Sequence, residues 1–220
     1  MSEYSVDVIV SDVQTCIDEI AKNDAEWLLG QDAEEMAGII KSKIYDAVRF
    51  VFLHADIGLL ELTWNTEKTI KVQEGSNVAI VKLPANVLRI VYARLKGWIR
   101  ALSEPIIYTD KEYATLLNPI TTGHPDNPKM AVNETATGKQ LEMYGVETSG
   151  DVEYELGYMP EPAEADGTGN NVGKKVYSIP EKLYRGVVYH TAGLTLLTYK
   201  DAHADALMNQ AIEMIGAKTN

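Results

Sequence analysis

An α+β fold is the class this sequence predicts: a helical bundle formed by the N- and C-terminal helices, with an inserted β subdomain of about five strands. Three observations predict it. Helical periodicity occupies both ends of the chain, alternation of apolar and polar residues crowds the middle, and strand and helix patterns never interleave as a βαβ unit requires. The 220 residues read as a single domain, 1–220, with helical parts at about 5–64 and 178–216, the β insertion at about 69–158 and a mobile loop at about 160–173.

The first helix is expected from about Ser5 to Lys22, where Val6, Ile9, Val13, Cys16, Ile17 and Ile20 recur at spacings of three and four. Val6, Val8 and Val10 also alternate, so a short strand before a helix capped at Ser11 stays open. Residues 23–31 read as a connection in which Trp27, Leu28 and Leu29 pack on the core. Asp32 and Glu35 have capping-box spacing and open the clearest helix, with Met36, Ile40, Ile44, Ala47, Val48, Val51 and Ala55 on one side, ending near Asp56 to Gly58. Leu59 to Trp64 reads as a packed connector.

Periodicity changes at Thr69. Ile70 and Val72 alternate with polar residues, Gly75 marks a turn, and Val78 to Leu83 is rich in β-branched residues, which together predict a hairpin ended by Pro84. Leu88 to Ile99 fits helix or strand, and the alternation of Val91, Ala93 and Leu95 with Tyr92, Arg94 and Lys96 favours a half-exposed strand. Thr109 or Asp110 caps a short helix to Leu117, followed by a long loop through Pro128. A second hairpin flanks Thr135 to Gly138, and Asp151 to Tyr158 alternates most cleanly of all. Residues 160–173 hold one apolar Val among Pro, Glu, Ala, Asp, Gly, Thr and Asn, too little to offset ordering entropy. Ser178, Pro180 and Glu181 start a helix to about Tyr199, and Asp201 caps a last one carrying Leu207, Ala211, Met214 and Ile215.

Composition limits function. Twenty Lys and Arg against 32 Asp and Glu give a net charge of −12, against a surface that neutralises phosphates but compatible with a basic protein partner or a wall that nucleic acid slides past. With no apolar run of membrane-spanning length and no signal-like N-terminus, a soluble chain made in the cytoplasm, without membrane partner, is expected. The lone Cys16 reads as a core residue.

No motif carries chemistry. His54, His124, His190 and His203 lack metal-ligand spacing, so no metal is expected, and the sequence offers no cofactor signature. His54 beside Asp56 reads as an imidazole at a helix C-terminus, and His190 as a packing residue. Gly167 to Lys175 (GTGNNVGKK) fails the phosphate-loop pattern, with Thr168 where a glycine belongs and Lys175 where Ser or Thr belongs. Asp166, Asn170 and Asn171 fail that of a calcium loop. No nucleophile elbow exists, and the expectation is a non-enzyme with no catalytic residues. Twelve tyrosines against two phenylalanines suit either interfaces or strand faces.

Residues 140–173 hold Glu142, Glu147, Asp151, Glu153, Glu155, Glu161, Glu164 and Asp166 without one Lys or Arg, a strongly negative stretch. A basic run, Arg89, Arg94, Lys96 and Arg100, contrasts with it. In identical subunits packed head to tail the two patches meet, which makes Arg89, Arg94, Lys96, Arg100, Glu153 and Glu155 candidate subunit-contact residues.

The segments IIKSKIYDAVRFVFLHADIGLLE (39–61), VKLPANVLRIVYARLKGWIR (81–100), DKEYATLLNPITTGHPDNPKMAV (110–132) and QLEMYG (140–145) resemble the head-to-tail connector, or ring adaptor, proteins of crAss-like bacteriophages. The resemblance spans most of the chain; residues 160–173 and Ala101-Leu102 match it least. It implies a virion protein made in the bacterial host cytoplasm, a twelve-fold ring of identical subunits below the portal protein joined to other connector or tail proteins, and a channel passing duplex DNA without binding it. It also implies a helical bundle with a β insertion. The rival expectations are an intracellular enzyme whose site forms only in three dimensions and a monomeric binding module or assembly chaperone.

Overall fold

A computed structural model describes residues 1–21, 33–118, 120–147 and 149–217. In chain order its elements begin with β1 (Ser2–Ser5), α1 (Val6–Ala21), α2 (Ala33–His54), a 3-10 turn (Ile57–Leu59), β2 (Thr63–Trp64), β3 (Thr69–Val72), β4 (Val78–Lys82) and β5 (Val87–Leu95). They continue with β6 (Ile106–Ile107), α3 (Tyr113–Leu116), β7 (Lys129–Thr135), β8 (Gly138–Tyr144), β9 (Gly150–Pro160) and β10 (Ala165–Asp166). A 3-10 turn (Gly169–Asn171), β11 (Lys175–Ile179), α4 (Glu181–Thr198) and α5 (Ala204–Met214) complete the order.

The expected helical bundle with an inserted subdomain of about five strands is incorrect. The protein is mixed α/β and β-rich, with eleven strands in three sheets against five α-helices among the described residues. Strand pairing recruited segments too short to announce themselves. The stretch read as a connector ends in β2, β6 lies in a stretch given no element, and β1 and β11 precede the terminal helices α1 and α4. The strand held open over Val6 to Val10 is helix, with the real strand just before it. Expectations for Trp27, Leu28, Leu29 and the Asp32 cap lie outside the described residues.

The chain forms two compact units: Leu62–Pro160, one continuous stretch, and the flanking segments Met1–Glu61 with Glu161–Asn220. In the flanking unit, β11 pairs antiparallel with β1 on one side and β10 on the other. Where a mobile loop is expected, residues 160–173 hold β10 and a 3-10 turn. Glu3 of β1 accepts from the Thr168 N–H (2.9 Å) and hydroxyl (2.8 Å), and those bonds hold its carboxyl below the usual range. α4 is the central helix, packing on α1, α2 and α5, and Leu183, Gly186, Val187, His190, Thr191, Ala192, Gly193 and Leu196 are all buried. It meets α5 through its glycines. A Cβ at Gly186 would collide with Ile215 Cγ2, and one at Gly193 would sit 2.6 Å from Met208 Cγ and 3.1 Å from the Ala204 carbonyl.

In the β unit, β9 is the central strand of one sheet, with β2 and β3 along one edge and β5 along the other. The second sheet runs β4-β8-β7-β6, with β6 parallel to β7. Inward residues of both sheets, including Val81, Ile90, Leu95, Leu141, Met143, Val152, Tyr154 and Leu156, share one core with Trp98 from the turn after β5. The hairpin expected over 69–83 is a second correction: Gly75 turns the chain with φ 78°, but β3 pairs with β9 and β4 with β8. Of the stretch 88–99 read as a strand, the part up to Leu95 is one and Lys96 to Ile99 turn away, while β7 and β8 form the expected second hairpin around Gly138.

Candidate functional site

Four of the six candidate contact residues, Arg94, Lys96, Glu153 and Glu155, converge on the solvent face of the β9 sheet. Alternation along β9 buries Val152, Tyr154 and Leu156 and exposes Asp151, Glu153 and Glu155. Antiparallel register then sets residues side by side in rows. The first row is Trp64, Gly157 and Tyr92; next, Glu155 stands beside Arg94, and Lys71 stands beside Asp151 at the far end. Between them Thr69 pairs with Glu153, whose carboxylate lies 3.2 Å from Lys96 Nζ. The Tyr92 hydroxyl donates to Glu155 at 3.0 Å. An acidic strand thus runs between cationic ones. A shallow cleft of about 310 Å³ lined by Lys68, Arg94, Lys96, Glu153 and Glu155 lies along it.

Trp64 is the aromatic anchor of this face. It is 48% exposed, its ring edge meets Tyr92 at 5.4 Å between centroids, and it lies over Gly157, where a Cβ would approach it to 3.3 Å and Leu62 to 3.0 Å. The glycine therefore gives the indole a flat seat. Trp64 and Tyr92 carried no sequence signal of this role, because only the register of β2 and β5 on β9 brings them together.

Two candidates stand apart. Arg89 lies in the irregular first half of β5, where register shifts occur, and lines a different cleft of about 450 Å³ with Leu83, Val87, Ile107 and Tyr108. Arg100 lies beyond the strand. Within one chain Arg94 and Lys96 of the basic run lie beside Glu155 and Glu153 of the acidic segment.

The acidic segment is also neutralised locally. Besides the ladder, Glu161 accepts from Tyr45 Oη and Arg49 Nε, each at 2.6 Å, and Asp166 lies 2.8 Å from Lys175 Nζ. The β unit holds ten Lys and Arg against twelve Asp and Glu, a balance of −2, and the flanking unit ten against twenty, or −10. The negative field belongs to the helical part of the chain.

Glu142 has a different role from its neighbours. It lies on the outer side of β8 beneath α3, 8% exposed, accepting from Tyr113 Oη (2.8 Å), Tyr144 Oη (2.7 Å) and Asn133 Nδ2 (3.0 Å). Burial, and then the bond to Glu142, pushes the Tyr113 and Tyr144 hydroxyls up. The Tyr113 and Tyr144 hydroxyls both donate to this one carboxylate, so its removal leaves two hydroxyls without their acceptor. Glu142→Ala is expected to lower unfolding free energy by about 2–4 kcal/mol and Glu142→Gln by less, as urea titration reads it.

The histidines do not assemble. His124 stands 3.8 Å from Asp126 and 3.6 Å from Glu147, His203 bonds Asp201 at 2.9 Å, and buried His190 stacks on Phe50 at 4.0 Å, with His54 tilted 4.4 Å from the same ring. Among the described residues no group of three His, Cys, Asp or Glu is placed to hold a metal ion, and no helix is long and apolar enough to cross a membrane. Cys16 is buried, and desolvation pushes its thiol up to about 11. No protein-family model matches the chain, and no curated protein matches it.

Proposed function

We propose that this chain is a structural virion protein, a subunit of a ring in a phage head-to-tail connector, and not an enzyme. The reading rests on the resemblance in residues 39–61, 81–100, 110–132 and 140–145. One structural observation supports it: three large apolar side chains of the β unit stand in solvent, and two of them, Ile99 and Ile120, lie on segments that meet Pro125. Ile99, Leu117 and Ile120 are 67%, 70% and 91% exposed; the Ile99 N–H donates to the Pro125 carbonyl, and Ile120 lines a cleft with Pro125. Large apolar groups left this exposed suit a surface that another protein covers.

In this reading the subunits form a closed ring, with twelve copies as the expected number. The ring contacts the portal protein and other connector or tail proteins and lets duplex DNA pass. The −10 balance of the flanking unit suits a wall that repels phosphate. Mass spectrometry of purified particles is expected to find the chain at ring stoichiometry, and imaging to place it at the portal vertex. Its absence from particles would overturn the reading. Ile120→Asp with Leu117→Asp is expected to block incorporation while leaving the melting temperature within about 2 °C, since exposed substitutions change stability by about 0.5 kcal/mol or less.

A further inference from the structure

We infer that the exposed face of the β9 sheet pairs with the same face of a second copy about a two-fold axis. The contact is fixed by matching each copy's acidic β9 row to the other's cationic β5 row. This contact does not rest on the ring reading, because a ring needs a head-to-tail contact whereas a two-fold contact uses one surface twice.

The argument is one of charge complementarity. Neighbouring strands lie about 4.8 Å apart. An axis running along the strands, midway between β9 and β5, lays each copy's β9 over the other's β5. Glu155 then faces the second copy's Arg94, Glu153 faces its Lys96, and each contact is made twice. The same operation keeps the Trp64 and Tyr92 row at its own end, so that aromatic ring meets aromatic ring. The other in-plane axis, across the strands, stacks β9 on β9 and sets Asp151, Glu153 and Glu155 against their own copies, which like-charge repulsion disfavours. Only the first arrangement gives alternating charges. Its composition is also that of a contact: Trp, Tyr and Arg dominate binding at protein interfaces, and here they stand together. Trp64 is seated on Gly157 before any partner arrives, so little side-chain freedom is lost on contact.

Sedimentation of the purified full-length chain tests this. A reversible dimer is expected at low ionic strength, dissociating as salt is raised. Arg94→Glu and Glu155→Arg, each checked for native circular dichroism, should each weaken self-association at least about tenfold, since each sets like charges against each other twice. Trp64→Ala should weaken it similarly. Mixing the two charge variants should restore a dimer, because every Arg94→Glu chain then meets its complement in a Glu155→Arg chain. A monomeric native chain at the highest attainable concentration, or a mixture that stays monomeric, would overturn the proposal. Particle rings without a free-chain dimer sink this contact alone; dimers of a chain absent from particles sink the ring alone.

Discussion

Gly193→Val is expected to lower the melting temperature by on the order of 10 °C. Even one added carbon at Gly193 would meet Met208 Cγ at 2.6 Å, the Ala204 carbonyl at 3.1 Å and Met208 N at 3.2 Å, and two of these atoms are backbone. A side chain can rotate away; the start of α5 cannot without leaving α4. Overpacking of this kind costs about 3 kcal/mol, and a chain of this size loses about 3 °C per kcal/mol. Gly38 in α2 gives the control. Nothing lies within 4 Å of its Cβ position and it is exposed, so Gly38→Ala is expected to stabilise by about 0.5–1 kcal/mol through helix propensity alone. If calorimetry shows both substitutions shifting melting in the same direction, close α4–α5 packing is not what the glycines provide.

Acid should loosen the flanking unit through one residue. His190 is 6% exposed, its Nδ1 has no partner, and burial, then the neighbouring His54, pulls its imidazole down to about 4 from an ordinary 6.5. The unfolded chain therefore takes up a proton first as pH falls, so stability is full above about 6.5 and declines toward 4. Below 4 both states are protonated and this contribution levels off. The loss across the window is on the order of 3 kcal/mol. Carboxylates begin to titrate near its lower end, so the diagnostic quantity is the difference between the native chain and His190→Phe, which keeps a ring against Phe50. Parallel stability curves for the two between pH 6.5 and 4 would show that His190 is not the sensitive group.

How much of this was legible in the sequence depended on whether a signal was local. α2 and β9 are long and strictly periodic, and both were readable because each buries one side against a continuous core. β1 and β11 are four and five residues long and pair across most of the chain, a relation no window of sequence holds. The turn at Gly75 was legible, but its two strands join different sheets; a turn specifies a change of direction and not a partner. The same limit applied to the site. Arg94, Lys96, Glu153 and Glu155 could be named as charged strand residues, whereas their side-by-side placement depends on the β5–β9 register. Glu142 reads like any outward strand residue until Tyr113 of α3 closes over it.

The β unit enters at Leu62 and leaves at Pro160, and its first and last strands pair, Thr63 with Tyr158. To the helices on either side, it is therefore a closed cassette with both ends at one doorway. A single contiguous stretch of gene encodes it, so a lineage can lengthen it, exchange it or lose it without reordering a helix. The flanking chain then carries no greater loop-closure cost than a short connection imposes. The helical scaffold and the surface it displays are free to diverge at different rates.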